Sequence, residues 1–446
     1  MSLQRTSHNS IAALRCPTMA KVPPPLSKVR TGVAVHDAIV LLEADASQLH
    51  AALRIARYLI AEARPFLAAE VAGRLVDAFI RRGDLPRAVL AAHAAEEGTD
   101  ETSYIVLVAK AFGEGSARLA DAPPHPPPLP KRVNVPAKLA KLQGEALLDR
   151  GEAALQKYMD WDDPIEADTK LPRLPLFSDL EPGPLADLLG AFEASAVGTD
   201  EVLIAEGDEG TDAFVVADGV LNVSRRIGED DVVLAALGPG AIFGEMALVS
   251  DAPRAATVRA TLPSTVLRVR RSELEELAVA TPEIGQRLSE FCRARMLSNL
   301  MRHSELLGAV PRDQREELVS RFETCHFEAN DVLVEVGEEG AALYLIASGA
   351  VAVEGKDASG PVRIAELGPG EIVGEISLVL RRPANATVRV IHPTVALRLG
   401  RDEFQDAIKA HPTILAELYD TATGRDEETR SLVAQEMLDD DDIVLI

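Results

Sequence analysis

The reading of this chain turns on Phe243-Gly244-Glu245-Met246-Ala247-Leu248-Val249-Ser250-Asp251-Ala252-Pro253-Arg254-Ala255-Ala256-Thr257-Val258. A second stretch follows its pattern: Gly374-Glu375 stands 130 positions after Gly244-Glu245, and Pro383 stands 130 after Pro253. The same interval carries Gly207, Gly210, Gly219 and Gly238-Pro239-Gly240 onto Gly337, Gly340, Gly349 and Gly368-Pro369-Gly370. It also carries Phe192-Glu193 onto Phe322-Glu323, Thr257-Val258-Arg259 onto Thr387-Val388-Arg389, and Pro282 onto Pro412. A gapless register over that distance means two copies of one fold.

Each copy reads as mostly β. Thr265, Leu267 and Val269 alternate with Val266, Arg268 and Arg270, the pattern of a half-buried strand, and Val395, Leu397 and Leu399 repeat it. The glycines mark tight turns between short strands. Helices are expected at 182–193 and 272–305 around copy one, and at 311–322 and 401–423 around copy two. The expected architecture is an antiparallel β-roll, jelly-roll-like, with flanking helices.

Outward from the repeat, the rest of the chain divides by composition. With 446 residues it suits two to four domains, and the fold class expected is α+β multidomain, an all-α N-terminal region followed by two rolls. Residues 1–35 read as disordered around Pro23-Pro24-Pro25, with Met19 as a possible second start. Residues 36–121 are Ala-rich and helical. Leu75, Phe79, Ala88, Ala92 and Ala95 fall at helical spacing around a Gly83-Asp84 turn, which resembles one tetratricopeptide repeat. The run Ala122-Pro123-Pro124-His125-Pro126-Pro127-Pro128-Leu129-Pro130 opens an extended linker, 122–136, and is read as a semi-rigid spacer. A helix at 137–158 and the break Leu171-Pro172-Arg173-Leu174-Pro175 fill 137–174, before copy one at 175–304 and copy two at 305–425. Residues 426–446, with Asp439-Asp440-Asp441-Asp442, read as a solvated acidic tail.

The quoted stretch resembles the phosphate-binding cassette of the cyclic nucleotide-binding family, to which the regulatory subunit of protein kinase A and the bacterial catabolite activator protein belong. The resemblance runs through the glycine, the acid, the apolar turn, the Pro-Arg pair and the following strand, and covers roughly residues 175–425. It implies a ligand site at Gly244, Glu245, Met246, Ala247, Pro253, Arg254, Ala255, Ala256 and Thr257. The chemistry of these residues suits that role. Arg254 offers a planar fork able to bond two oxygens of a cyclic phosphate at once. A helix beginning near residues 246–249 presents free N–H groups to an anion. Gly244 lets the backbone approach closely, and Glu245 can accept from a ribose hydroxyl. Ala255 and Ala256 are small enough to offer backbone N–H groups. Taken singly, a Gly-Glu pair is an ordinary turn with a surface acid, and a lone arginine is ordinarily solvated; the joint spacing reverses that. In the family a hydroxyl residue directly after the arginine favours guanine, so Ala255 leans toward cAMP over cGMP. The base lid is expected from the helix after the roll, at Phe291, Cys292 or Arg295.

Copy two departs in its anion half. Gly374 and Glu375 remain, but the sequence continues Pro383-Ala384-Asn385-Ala386, with alanine in the arginine's place. Loss of a buried charge partner costs roughly 2–5 kcal/mol, about 30-fold to a few thousand-fold in affinity. Copy two is therefore expected to bind nucleotide weakly or not at all, unless Arg381 or Arg382 reaches round Pro383, and to serve in packing or partner contact.

Composition narrows the function further. Net charge is −24, a surface that repels nucleic-acid phosphate and anionic lipid. Cys16, Cys292 and Cys325 are far apart, without disulfide or zinc spacing, which fits a reducing cytoplasm. No apolar run approaches a membrane span, and no signal-peptide core is visible. No basic recognition helix follows the second roll, which argues against a transcription factor. No catalytic constellation or metal cluster stands out. The expectation is a cytoplasmic, non-enzymatic cyclic nucleotide receptor that signals to an unidentified effector protein. Its rivals are a ligand-independent scaffold and a kinase regulatory subunit, the latter without a convincing inhibitor sequence before the first roll.

Overall fold

The computed structural model describes residues 28–97, 103–120, 133–166, 169–227, 230–248, 250–356 and 361–441, with the side chains of 28–34 and 428–441 left aside. Most of the N-terminal segment, the proline run of the linker, Cys16 and the last five residues lie outside the described residues.

The N-terminal region is built from helices α1 (Lys28–Ala44), α2 (Leu49–Ala61), α3 (Pro65–Arg81), α4 (Leu85–Glu96) and α5 (Tyr104–Phe112). Helix α1 thus starts inside the stretch expected to be disordered, because its apolar face at Val35, Ala38, Ile39 and Leu42 finds a buried partner surface. The turn between α3 and α4 needs Gly83, at φ +70°. The Asp84 carboxylate then accepts from the Arg87 backbone N–H at 3.2 Å and caps α4. Leu75, Phe79, Ala88, Ala92 and Ala95 are all buried here. The helix expected at 137–158 is two pieces, α6 (Ala137–Ala140) and α7 (Glu145–Met159), separated around Gly144 at φ +56°. Strands β1 (Leu119–Ala120) and β2 (Leu171–Pro172) pair in parallel and bring the chain just before the linker beside the break at 171–175.

Roll 1 opens with α8 (Pro182–Gly190). Its strands are β3 (Glu193–Val197), β4 (Val202–Ile204), β5 (Asp212–Asp218), β6 (Leu221–Ile227), β7 (Asp230–Leu237), β8 (Ile242–Phe243), β9 (Thr257–Ala260) and β10 (Ser264–Arg270). They form two four-stranded sheets, ordered β3-β10-β5-β8 and β4-β9-β6-β7. Val197, Phe214, Val216, Leu221, Phe243, Val258 and Val266 fill the space between them. The bend from β5 into β6 needs Gly219, since a side chain there would lie 2.1 Å from Ser264 Oγ.

Strand β10 is buried on both faces, not half-buried. Val266 points into the roll, whereas Leu267 and Val269 join Ala213, Val215 and Ala217 in the core shared with the N-terminal helices. Arg268, on the same side of the strand as Val266, is buried too and is paired with Glu193 at 2.5 Å.

Roll 2 has β11 (Glu323–Phe327), β12 (Val332–Val334), β13 (Ala342–Lys356), β14 (Pro361–Leu367), β15 (Ile372–Val373) and β16 (Thr387–Gly400). Here β13 and β16 run unbroken through the bends that divide their counterparts in roll 1, so one sheet wraps the whole roll. The helix expected at 272–305 is divided at Thr281-Pro282 into α9 (Arg271–Ala280) and α10 (Pro282–His303). Pro282 lacks the N–H needed to continue α9 and starts α10 instead. Short α11 (Glu305–Gly308) and α12 (Arg315–Ser320) follow, and α13 (Glu375–Val379) lies in the second cassette. Pro412 repeats the division between α14 (Arg401–Ala410) and α15 (Pro412–Asp441). Helix α15 carries on through the start of the stretch expected to be a loose acidic tail, because Ile414, Leu418 and Ala422 bury against roll 2.

Candidate functional site

In roll 1 the quoted stretch connects β8 to β9 and lies across one end of the roll. Gly244, at φ +74°, turns the chain sharply, and Glu245–Leu248 form a short 3-10 helix. Phe243 stacks on Phe214, ring centres 5.2 Å apart, and anchors the turn to the roll interior. Glu245 is nearly buried, at 6% exposure, and Ala247 is buried beside it.

Glu245 is met by the helix after the roll. Arg295 Nε lies 3.4 Å from its Oε1, and a second Arg295 nitrogen donates to Ile242 O at 3.3 Å. Cys292 Sγ donates to Glu245 O at 3.6 Å, and burial pushes its thiol up to about 12. Of the lid candidates, Arg295 and Cys292 therefore touch the cassette.

Arg254 is the second element. Its guanidinium donates to Asp212 O at 2.8 Å and Gly244 O at 3.2 Å, and among the described residues no carboxylate bonds it. Burial lowers its pKa, only partly offset by Asp212. The chain around it is held on both sides, by Arg254 N to Asp208 O and Gly207 N to Arg254 O, each 2.8 Å. Gly210 makes room for the fork, since a Cβ there would lie 2.4 Å from Arg254 Nε. The result is a partly buried cation whose fork rests on dipoles, facing the same turn as a buried acid. That arrangement suits a ligand with an anionic group beside a hydroxyl.

The remaining expected residues take supporting places. Thr257 Oγ1 accepts from Glu206 N at 3.1 Å. Pro253 and Ala256 are half-buried, Ala255 is exposed, and Met246 packs toward the core of roll 2. Sequence reasoning missed Arg271, which donates to Ala247 O and to Ser250 O (2.7 Å) and pairs with Asp251, so it fastens the far end of the cassette. It also missed Asp218, which accepts from Arg54 Nε at 2.6 Å and Arg87 at 3.0 Å, across the boundary between roll and helices. Burial would raise the pKa of Asp218, yet Arg54 and Arg87 hold it below the usual carboxylate range. The interval of 130 could have found one of these signals: it carries Arg271 onto Arg401 and Arg295 onto Arg425.

In roll 2, Glu375 is buried and bonded by Arg425, Nη1 to Oε1 at 3.1 Å, as Arg295 meets Glu245. Burial raises the pKa of Glu375 despite that partner. Gly374 takes φ +89°, where a Cβ would lie 2.5 Å from Ala342 O. Ala384 and Ala386 are buried. Arg382 and Asn385 turn to Asp426.

A family model described as the cyclic nucleotide-binding domain matches residues 196–280 and again 324–411. The chain carries two cyclic nucleotide-binding domains. The cAMP-dependent protein kinase regulatory subunit of Yarrowia lipolytica is 30% identical over 230 residues, 52% of this chain and 58% of that protein. Its counterpart in Aspergillus fumigatus is 29% identical over 240 residues, 52% of this chain and 56% of that protein. The chain thus spans little more than half the length of these relatives. Among solved structures, the regulatory domain of Toxoplasma gondii PKA with cAMP is 24% identical, covering 56% of this chain and 92% of that one, with a TM-score of 0.27. Both cyclic nucleotide-binding domains fall on the rolls, and the N-terminal helices lie outside the matched residues. Among the described residues, no helix is long and apolar enough to cross a membrane, and no group of His, Cys, Asp and Glu could hold a metal ion.

Proposed function

We propose that the chain is a cAMP receptor with one working site, in roll 1, that passes ligand binding to a partner protein and performs no chemistry of its own. The observation that carries this reading is the state of Arg254: a partly buried guanidinium bonded to two carbonyls, 3.2 Å or less away, beside the buried acid Glu245. A cyclic phosphate supplies the charge that the fork lacks, and the ribose hydroxyl supplies a donor to Glu245. Gly244, Met246, Ala247, Pro253, Ala255, Ala256 and Thr257 shape the turn around them.

Helix α10 supplies a route for the signal. Cys292 and Arg295 face the roll 1 cassette, and one turn on Met296 and Leu300 sit in the core of roll 2. Ser250 of the cassette also meets Ser348 of roll 2 at 3.4 Å. A ligand that binds more tightly when Arg295 is drawn in would bias the packing of roll 2, and only that difference in affinity can drive a change.

Roll 2 is read as a domain with no nucleotide site of its own, its Gly374, Glu375, Ala384, Asn385 and Ala386 serving the closure of the roll. Isothermal titration of the full chain with cAMP tests both parts: one tight site per chain is expected, and two equal tight sites would sink the reading of roll 2. A second reading, a kinase regulatory subunit, is favoured by the names of the curated relatives. Capture of partners with and without cAMP separates the two, since a protein kinase released by cAMP would establish the second.

A further inference from the structure

Roll 2 lacks the cassette arginine, yet its cassette is not left open. Helix α15 lies along it and presents two adjacent charged residues. Arg425 bonds Glu375 and donates to Ile372 O at 2.7 Å. Asp426, 6% exposed, turns its carboxylate into the loop that follows Pro383. Asn385 Nδ2 donates to Asp426 Oδ1 at 2.9 Å, and Arg382 Nη1 lies 3.5 Å from Oδ2. By the interval of 130, Asn385 corresponds to Ala255, the residue directly after the phosphate-binding arginine of roll 1. An amide and a guanidinium converging on an anion make the same kind of donor set that a phosphate takes.

We infer that the resident ligand of roll 2 is the chain's own α15, with the Asp426 carboxylate in the role that a phosphate takes in roll 1. The inference rests on the reading of roll 2 as nucleotide-free, and says what closes the site instead. Two further observations support it. At the corresponding position after roll 1 stands Met296, which buries in the core of roll 2, so no acid stands there to meet the roll 1 cassette. The cassette of roll 2 has also moved into the arginine's room: a Cβ on Gly340 would lie 2.4 Å from Ser377 Cβ, whereas on Gly210 it would meet Arg254. A tethered carboxylate acts at high effective concentration, so an anionic ligand in solution competes poorly for the same donors.

Hydrogen exchange on the full chain, comparing the unaltered protein with Asp426→Asn and Asp426→Ala, tests this. Both variants should speed exchange in residues 375–386 and 412–425 by about tenfold, which corresponds to about 1.4 kcal/mol. Inorganic phosphate should slow the exchange again in Asp426→Ala, sodium chloride of equal ionic strength should not, and neither should affect the unaltered chain. One tight cAMP site in roll 1 of each variant shows that it folds. Unchanged exchange, an Asp426→Asn chain that behaves as unaltered, or no difference between phosphate and chloride would each overturn the inference. The count of cAMP sites in the unaltered protein judges the underlying reading separately.

Discussion

The two rolls share a frame and differ in what neutralises the cassette. In both, an acid after a left-handed glycine is buried and met by an arginine from the following helix, Glu245 with Arg295 at 3.4 Å and Glu375 with Arg425 at 3.1 Å. In both, an arginine on the last long strand pairs with an acid on the first, Arg268 with Glu193 at 2.5 Å and Arg398 with Glu323 at 3.0 Å. The difference lies in the anion half. Roll 1 offers a cation bonded only to carbonyls, whereas roll 2 offers Asn385 and Arg382, already engaged by a carboxylate. Two copies can therefore keep one architecture while their anion halves differ, because the fold depends on the glycine turns and the apolar interior and not on the arginine.

The largest effect should come where the rolls dock differently on what precedes them. Asp218 of roll 1 is held by Arg54 and Arg87, while its counterpart Ser348 faces Ser250. Replacing Asp218 by alanine leaves Arg54 without its carboxylate and Arg87 with Asp84 alone, and should lower stability by about 3–5 kcal/mol, against a much smaller loss for Ser348→Ala; thermal unfolding of both chains checks it. The pH dependence has a definite sign. The folded pKa of Asp218 lies below 3.8, so its contribution is complete above that value and is lost as the pH falls through the depressed one. The Asp218→Ala chain should accordingly show a shallower loss of stability on acidification.

Next comes the cassette itself. Arg254→Ala should weaken cAMP binding by roughly 2–5 kcal/mol with far-ultraviolet circular dichroism unchanged, and an unaltered affinity would refute the site. Smaller effects test the glycines. Gly210→Ala should push the guanidinium out of place and reduce affinity by about tenfold, as for one strong hydrogen bond, whereas Gly340→Ala should alter stability and leave cAMP binding as it was. The smallest change should follow Ala255→Thr. A hydroxyl there should shift preference toward cGMP by roughly 2- to 12-fold, the worth of one hydrogen bond at about 0.5–1.5 kcal/mol, and competition between the two nucleotides would measure it.

Much of this was legible in sequence because it is written locally. The repeat, the turn glycines, the positions of Glu245 and Arg254 and the alanine at 384 all stand in one register. What escaped comes from contacts between distant segments. Arg54 and Asp218 are 164 residues apart, and nothing local marks either as a partner. The alternation in β10 suggested one exposed face, since Arg268 and Arg270 looked solvated. In fact Arg268 is buried against Glu193, and the helical region covers the neighbouring leucine and valine. The same cause corrected both ends. Residues 28–35 and the stretch beyond 425 read as loose by composition, yet α1 and α15 run into them, because apolar faces further along each helix are buried.

The sequence by itself determined that there are two rolls, where each turns, and which of them keeps an arginine after the cassette proline, because those are matters of residue type at fixed spacing. Only the tertiary structure decided what each charged group faces. Arg254 meets carbonyls, Asp218 meets two arginines of the N-terminal helices, and Asp426 enters the cassette of roll 2. A charge takes its meaning from its partners in a medium of low polarity, and partners brought together by folding leave no local trace in the order of residues.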